Sequence, residues 1–316
     1  MPETGAGRHN KRKWSQSKRS LEAIWVILVG VTLVVLLILP KKAPPPPPQE
    51  PLAESSDKAS YFISVPIADV RREPNDRSEL VTQALYGNPL KVIKRVDGWL
   101  EVRVRDQGDY SGFIEEGKVA SFQPPSGQKA MVTTPQVSVL ERPEEGAREL
   151  MTLYAGSTPF VLGYRRDWAQ VVVLPTGSGW LKKSALKQPG KASGEGLLAA
   201  ARQFTGVRYL WGGITLRGID CSGLTYIACA MNGLLIPRDA DVQLQKGPGK
   251  LVDRSELKPG DLVFFSSNGE FATHVGFYEG EGKFLSALSS TGQVTSDFLN
   301  KPYWSSRYFG ARRVTE

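Results

Sequence analysis

The strongest constraint on this chain is a glycine-rich loop that leads into a cysteine and then into an apolar segment. Residues 209–223 read Tyr-Leu-Trp-Gly-Gly-Ile-Thr-Leu-Arg-Gly-Ile-Asp-Cys-Ser-Gly, and residues 224–235 are largely apolar over a length that suits a helix. We therefore expect Cys221 at or near a helix N-terminus, where free backbone N–H groups and the helix dipole stabilise a thiolate. Because the thiolate is the reactive form of cysteine, this position predicts a nucleophile with a lowered pKa.

The chain has only two cysteines and two histidines among its 316 residues. Cys221 and Cys229 lie eight positions apart, about 12 Å along a helix, which is too far for a disulfide. Both thiols are expected to be free, with Cys229 a packed core residue. A zinc site needs a cluster of Cys, His and carboxylate ligands, and His9 lies in a basic tail. We therefore expect no metal and no cofactor.

His274 is the only histidine outside that tail, so it is the candidate to take the proton of Cys221. It opens an alternating segment, His-Val-Gly-Phe-Tyr, that is typical of a strand. The turn at residues 279–282 should fold this strand onto residues 283–287. A three-residue loop would place His274 directly opposite Ser286. A two-residue loop would pair it with Ala287 and turn Ser286 to the other face.

The N-terminal sixty residues indicate a membrane anchor with a tether. Residues 1–20 form a basic tail with six Lys or Arg, and residues 21–40 include seventeen consecutive positions without a charge. That run is about 26 Å of helix, at the short end of a bilayer span. The basic flank predicts a single-pass protein with a cytoplasmic N-terminus and an extracytoplasmic remainder. The competing interpretation is a cleaved signal peptide. Residues 41–60 are a Pro-rich linker.

The net charge of +8 is partly concentrated in this tail. Because the tail adjoins an apolar run, it favours a topology signal over nucleic-acid binding. We therefore expect no nucleic-acid partner.

Two segments, 61–122 and 130–187, repeat the same spacings. Gly87 lies seventeen positions after Val70, Trp99 lies twelve positions after Gly87, and the second copy repeats both spacings from Val139. Short, partly alternating runs between Gly, Asp and Pro turns predict a small all-β barrel in each copy. Both copies resemble bacterial SH3-like (SH3b) domains. They are expected to serve as structural spacers or to recognise cell-wall material.

Residues 194–316 resemble the NlpC/p60 family of cysteine peptidases. The matching elements, in chain order, are Tyr209-x-Trp211-Gly212-Gly213, Asp220-Cys221-Ser222-Gly223, Pro237-Arg238-Asp239 with Gln243, Leu257-Lys258-Pro259-Gly260-Asp261-Leu262, and His274-Val275-Gly276-Phe277-Tyr278. With two SH3b modules in front, the architecture is similar to that of γ-D-glutamyl-L-diamino acid endopeptidases. The implied fold is a papain-like α+β catalytic domain behind two small all-β barrels and an N-terminal transmembrane helix.

The resemblance also assigns roles in the reaction. The third catalytic residue of the family is usually a histidine twelve positions after the first, and Ser286 stands there in this sequence. A serine can accept a hydrogen bond from the imidazole and fix its tautomer, although less strongly than the usual partner. Tyr209 matches the tyrosine that helps to stabilise the oxyanion, with core packing as the alternative.

The same resemblance assigns substrate contacts. Asp220 and Ser222 match substrate-holding positions, although both residue types also cap helices. Arg238 and Asp239 are expected to frame the pocket. In the first barrel, Tyr110 resembles an aromatic residue that holds the amine of a terminal L-Ala. Glu79 could supply a carboxylate to the same ammonium.

These features together predict a membrane-anchored, extracytoplasmic cysteine peptidase. It would be a monomer that acts on peptidoglycan or muropeptides and cleaves the γ-D-Glu–diaminopimelate bond of stem peptides with a free N-terminal L-Ala. One alternative is a weakly active or inactive wall-binding protein, because Ser286 departs from the family pattern. A second alternative is a thiol amidase or acyltransferase of the same fold.

Overall fold

The computed structural model describes residues 60–125, 128–174, 177–186 and 191–315. The predicted tail at 1–20, the anchor at 21–40 and all but Ser60 of the linker at 41–60 lie outside these residues. Within the described ranges, no helix combines the length and hydropathy that a membrane span requires. All described residues belong to one unit, so the contacts between their modules are part of one structure.

The first β module is a seven-stranded antiparallel sheet in the order β3-β2-β6-β5-β4-β1-β7. Its strands are β1 (Ser60–Ile63), β2 (Ile67–Arg71), β3 (Leu80–Leu85), β4 (Pro89–Val96), β5 (Trp99–Val104), β6 (Tyr110–Glu115) and β7 (Val119–Phe122). Alternation of buried and exposed side chains along β2 and β5 turns one face of the sheet toward a small apolar core. This is the SH3-like architecture that the strand spacing predicts.

The second β module is a six-stranded sheet in the order β10-β9-β13-β12-β11-β8. Its strands are β8 (Gln128–Lys129), β9 (Gln136–Leu140), β10 (Glu149–Tyr154), β11 (Phe160–Arg165), β12 (Trp168–Val172) and β13 (Ser178–Lys182). The shared glycine spacing has a local cause, because Gly87 and Gly156 occupy equivalent turns with φ of 76° and 88°. Only glycine adopts such a backbone without strain.

The catalytic domain packs helices against a six-stranded antiparallel sheet in the order β16-β21-β17-β18-β19-β20. The helices are α1 (Gly194–Arg202), α2 (Cys221–Met231), α3 (Ala240–Lys246) and α4 (Pro302–Ser305). The sheet strands are β16 (Lys250–Leu251), β17 (Leu262–Phe265), β18 (His274–Gly280), β19 (Lys283–Leu288), β20 (Gln293–Phe298) and β21 (Tyr308–Arg313), and a small hairpin pairs β14 (Ile214–Thr215) with β15 (Gly218–Ile219).

Helix α2 is the centre of this domain, because all eleven of its residues are buried. It ends earlier than the apolar run suggests. Gly233 adopts φ of 76°, and its N–H and that of Leu234 bond the carbonyls of Ala230 and Cys229, both at 2.9 Å. These bonds form a Schellman motif, which stops a helix regardless of the apolar residues that follow it. The helix therefore covers only the first part of the apolar run at residues 224–235.

Both β modules contact the catalytic domain. Leu85 of the first module and Ala155 of the second belong to the same apolar cluster as helix α2. The Tyr226 hydroxyl of α2 donates to the Asp106 carbonyl of the first module at 3.1 Å. Tyr86 joins the two β modules, since its hydroxyl donates to the Val172 carbonyl at 2.8 Å and accepts from the Leu174 amide at 3.0 Å. The first module can thus contribute directly to the thiol site.

Candidate active site

Cys221 is the first residue of helix α2, and Asp220 is its N-cap. Asp220 has an extended backbone, and its Oδ1 accepts the Gly223 amide at 2.6 Å, which satisfies one of the free N–H groups of the first turn. The side chain of Cys221 lines a cavity of 300 Å³ beside the helix end. The sequence-predicted placement of the thiol at a helix N-terminus is therefore the one observed.

The pKa of Cys221 differs from the sequence-based expectation. Burial, followed by the neighbouring carboxylate of Asp220, raises the pKa of this thiol to about 12. The backbone amides of Val275 and Ser222 act in the opposite direction, as does the guanidinium of Arg238. The prediction of a lowered pKa is wrong because desolvation and a like charge outweigh the helix end. The resting sulfur is a thiol.

His274 begins strand β18, which packs against helix α2. The amide that acts on the Cys221 sulfur belongs to Val275, the next residue, so the start of this strand lies against the beginning of the cysteine helix. Burial lowers the pKa of His274 to about 4, and the Asp220 carboxylate partly offsets this effect. At neutral pH the imidazole is therefore neutral and able to accept the thiol proton.

Ser286 contacts His274, although neither predicted hairpin register is correct. A bulge between Tyr278 and Gly280 precedes a two-residue turn at Glu281 and Gly282, and Phe277 pairs with Leu285. Continued along the strands, this register sets Gly276 opposite Ser286, so His274 and Ser286 are diagonal neighbours on one face. Their side chains still meet, with Ser286 Oγ 3.0 Å from His274 Nε2.

Gly276 makes this diagonal contact possible. A Cβ at this position would come within 2.7 Å of the Leu285 carbonyl oxygen and 3.0 Å of the Ser286 Cβ. Any larger residue would therefore separate the two strands or push Ser286 aside. The register argument missed this glycine because it assumed directly opposed partners.

The single proton of the Ser286 hydroxyl fixes the tautomer of His274. Ser286 Oγ lies 2.6 Å from the Val275 carbonyl oxygen, which can only accept a hydrogen bond, so the hydroxyl proton points there. The contact with His274 must then have Nε2–H as the donor. This arrangement leaves Nδ1 with a free lone pair, which a base that deprotonates the Cys221 thiol requires.

Tyr209 lies beside the thiol. It is half-buried on the loop before β14 and bridges to Ile219, close to the start of helix α2. Burial raises the pKa of its hydroxyl, and the charge of a Cys221 thiolate raises it further. The hydroxyl therefore stays protonated and available as a donor near the sulfur. Its predicted role at the oxyanion stays a prediction.

Arg238 is a fully buried residue that joins the cysteine helix to the first β module. Its guanidinium donates to Asp220 Oδ1 at 3.1 Å and Oδ2 at 2.7 Å, and to Ser222 Oγ at 2.7 Å. The Nε–H donates to Thr82 Oγ1 at 2.9 Å, and the remaining donor faces the Gly213 carbonyl at 3.5 Å. Every N–H of Arg238 is thus used within the protein.

This network adds to the roles expected for Asp220 and Arg238. The two carboxylate oxygens of Asp220 also accept from Ser222 Oγ and from the amides of Gly212 and Gly223. Both residues line the cavity, as expected for Arg238, and their hydrogen bonds also position the cysteine helix and Ser222. The substrate contact expected of Asp220 stays a prediction.

The cavity beside Cys221 is shared between the catalytic domain and the first β module. It is lined by Arg72, Glu79, Val81, Tyr110, Trp211, Asp220, Cys221, Ser222, Arg238, Asp239, Ala240, Asp241, Phe271, Ala272 and Thr273. The structure thus brings Tyr110 and Glu79 to the thiol site from a separate module. The Tyr110 hydroxyl donates to Asp239 Oδ1 at 3.2 Å.

Glu79 already has two partners in this cavity. It accepts from Arg72 Nε at 2.7 Å and from Trp211 Nε1 at 2.9 Å. The hydrogen bond from Arg72 holds the pKa of Glu79 below its usual range, whereas burial raises the pKa of Asp239. Sequence reasoning missed Arg72. Its position seven residues before Glu79, across the β2–β3 hairpin, was the available signal.

Among the described residues, no group of three or more His, Cys, Asp or Glu side chains is arranged to hold a metal ion. A buried thiol at a helix N-terminus, a neutral imidazole on the strand that packs against this helix and a hydroxyl that fixes the imidazole are the groups that a cysteine peptidase uses. Comparisons with known proteins give the family. The NlpC/P60 family matches residues 206–313, and the bacterial dipeptidyl-peptidase Sh3 domain matches residues 70–118. The chain belongs to the NlpC/P60 family, which confirms the sequence-based prediction.

Curated relatives match both the catalytic and the β modules. The gamma-D-glutamyl-L-lysine dipeptidyl-peptidase of Bacillus subtilis (strain 168) is 30% identical over 244 residues, 73% of this chain and 80% of the relative. The protein of the same name from Bacillus cereus (strain ATCC 10987 / NRS 248) is 29% identical over 259 residues, 75% of each chain. The crystal structure of an NlpC/P60 family protein from Bacillus cereus ATCC 10987 has the same fold, with a TM-score of 0.73 and 23% identity over 81% of this chain and 100% of that chain.

Proposed function

We propose that this peptidase cleaves the amide bond between γ-D-Glu and a diamino acid in stem peptides that begin with a free L-Ala. One observation carries the proposal: the first β module closes one side of the thiol cavity with Arg72, Glu79, Val81 and Tyr110. A cavity of 300 Å³ has room for a short peptide end and little room for an attached glycan strand. The Bacillus relatives are named for a gamma-D-glutamyl-L-lysine dipeptidyl-peptidase activity, which supports the same bond.

The charges of the cavity support recognition of an ammonium group. Four carboxylates, from Glu79, Asp220, Asp239 and Asp241, line it with two guanidinium groups. Asp220 is neutralised by its buried pair with Arg238, and Glu79 by its pair with Arg72. The remaining negative charge lies on Asp239, which accepts from the Tyr110 hydroxyl, and on Asp241. We therefore assign the L-Ala ammonium to this group of residues.

In the proposed reaction, the Cys221 sulfur attacks the γ-carbonyl carbon of D-Glu while its proton moves to Nδ1 of His274. The Cys221 backbone N–H and the Tyr209 hydroxyl donate to the resulting oxyanion. The C–N bond then breaks, and His274 gives the proton to the departing amine. Water attacks the thioester with His274 as the base, which releases L-Ala-γ-D-Glu and restores the thiol.

The test is hydrolysis of L-Ala-γ-D-Glu-L-Lys, and of the same peptide with diaminopimelate, by the purified full chain. We expect L-Ala-γ-D-Glu and the free diamino acid by mass spectrometry, and no product with Cys221→Ala. The matched substrate is the N-acetylated peptide, which lacks only the ammonium charge. Its kcat/KM should be about tenfold to a hundredfold lower, as for loss of a hydrogen bond to a charged group. Equal rates on both peptides would refute the assignment of the ammonium.

A second candidate is a wall-binding protein without activity. The observation that favours it is the serine at position 286, where the family usually has a histidine. Binding of the peptide without hydrolysis would support it. A product mass that shows cleavage of a different amide, or transfer to an added amine, would support the amidase or acyltransferase alternative. We also propose that residues 21–40 anchor the chain with its catalytic part outside the cytoplasm, which protease protection in intact cells would test.

A further inference from the structure

His274 has to carry a positive charge during the reaction, and its surroundings are poor in compensating charge. Burial lowers the pKa of this imidazole, and the partner at Nε2 is the neutral hydroxyl of Ser286. On the side of helix α2, the carboxylate of Asp220 is the charged group that acts on the imidazole. Some other group must lower the free energy of the imidazolium when it forms.

Trp304 of helix α4 covers one face of the His274 ring. The two ring centroids are 5.2 Å apart, and the planes are inclined by 28°, which is a stacked arrangement. Phe265 packs against His274 at 5.9 Å with an inclination of 44°. Trp304 is 7% exposed, so water does not compete for its ring. A cation over an aromatic face within about 6 Å is attracted by the ring quadrupole, and most strongly by tryptophan.

The indole of Trp304 is held in place by a charged partner. Its Nε1–H donates to Asp297 Oδ2 at 2.7 Å, and Lys301 forms an ion pair with the same carboxylate. Burial acts to raise the pKa of Asp297, but the hydrogen bonds from Lys301 and then Trp304 contribute to a net lowering, so the carboxylate is ionised. A carboxylate at the N–H end increases the electron density of the indole ring, which strengthens its attraction for a cation.

We propose that Trp304 stabilises the imidazolium of His274 through its aromatic face, and that Asp297 orients and polarises the indole for this purpose. The inference rests on the thiol–imidazole mechanism given above. It assigns a role in the reaction to a residue outside the five sequence motifs, on a helix of four residues near the end of the chain.

The test replaces Trp304 site-specifically with tryptophans that carry increasing numbers of fluorine atoms. Each fluorine withdraws electrons from the ring but hardly changes its shape, so folding and packing are kept. We expect kcat on L-Ala-γ-D-Glu-L-Lys to fall progressively, by about tenfold for the fully fluorinated ring, with KM changed less than about twofold. The same substitutions at Trp168, which lies in the second β module, are the matched control and should leave kcat unchanged.

A second measurement does not depend on the peptide substrate. Iodoacetamide alkylates Cys221: the S–C bond forms, iodide leaves and the thiol proton passes to His274. Cys229 is completely buried and provides no background. The alkylation rate at pH 7 should fall in parallel with kcat across the fluorinated series, and Asp297→Asn should reduce it by a smaller factor.

The outcomes separate this inference from the proposed function. Alkylation and kcat that do not respond to fluorination would overturn the role of Trp304 while leaving the peptidase assignment intact. A chain that does not hydrolyse the peptide, but whose alkylation rate follows the fluorine count, would overturn the proposed substrate and keep the role of Trp304. Trp304→Phe should retain more activity than Trp304→Leu, because phenylalanine keeps an aromatic face. Equal loss in both variants would indicate packing alone.

Discussion

Ser286→Ala tests whether the serine hydroxyl orients the catalytic imidazole. The side chain is completely buried, and its Oγ lies 2.6 Å from the Val275 carbonyl and 3.0 Å from His274 Nε2. Alanine leaves both groups without this partner. An unsatisfied buried polar group costs about 1–3 kcal/mol. Because the imidazole can then rotate or change tautomer, we expect part of this energy to appear in the transition state, as a fall of about tenfold to a hundredfold in kcat.

The assay is kcat and KM on L-Ala-γ-D-Glu-L-Lys, with urea unfolding in parallel. Ser286→Cys keeps a weak donor and acceptor at nearly the same volume, so its kcat should lie between those of the serine and alanine forms. Ser296→Ala is the matched control. It lies on the neighbouring strand, is exposed, and its hydroxyl bonds Glu279. The orienting role would be refuted if Ser286→Ala had a kcat within about twofold of the native value, as Ser296→Ala is expected to have.

Three further predictions follow from burial and packing. Because the pKa of His274 is lowered to about 4 from 6.5, the native state binds fewer protons than the unfolded state between these values. The free energy of unfolding should thus fall by about 2–3 kcal/mol as the pH drops through this window. Urea unfolding at several pH values should show a smaller fall for His274→Gln than for the native protein. Arg238→Met leaves the Asp220 charge buried and unpaired and should cost about 3–5 kcal/mol in urea unfolding; a cost below about 1 kcal/mol would contradict this. Gly276→Ala should displace Ser286 and lower kcat at least about tenfold, whereas unchanged kcat would show that the strands adjust.

The sequence predicts the identity of the thiol and imidazole because local chemistry determines both. A capping aspartate before a cysteine, followed by an apolar run, indicates a helix start, and His274 has no rival outside the basic tail. The hairpin register could not be predicted in this way, since a bulge before the turn shifts the pairing, and Gly276 leaves the space in which His274 and Ser286 still meet. The pKa of Cys221 was also mispredicted. The helix end is visible in the sequence, whereas desolvation depends on tertiary packing.

Contacts between distant modules were the least predictable part of the site. Nothing in the sequence pairs Arg238 with Thr82, because each lies in an ordinary local context. Trp304 shows the same difficulty, since its contact with His274 depends on how helix α4 is placed against the sheet. Tyr110 and Glu79 were predicted only through the family resemblance.

The hydrogen bond from Arg238 to Thr82 spans 156 positions of the chain. It means that a residue of the first β module helps to hold the buried cation that positions the cysteine helix. If this module were exchanged for another of the same fold without a hydroxyl at position 82, the buried Nε–H of Arg238 would have no acceptor. The same guanidinium donates to Asp220, the carboxylate that caps the cysteine helix. A substitution at residue 82 is therefore expected to change turnover, although this residue lies on a strand of the first β module.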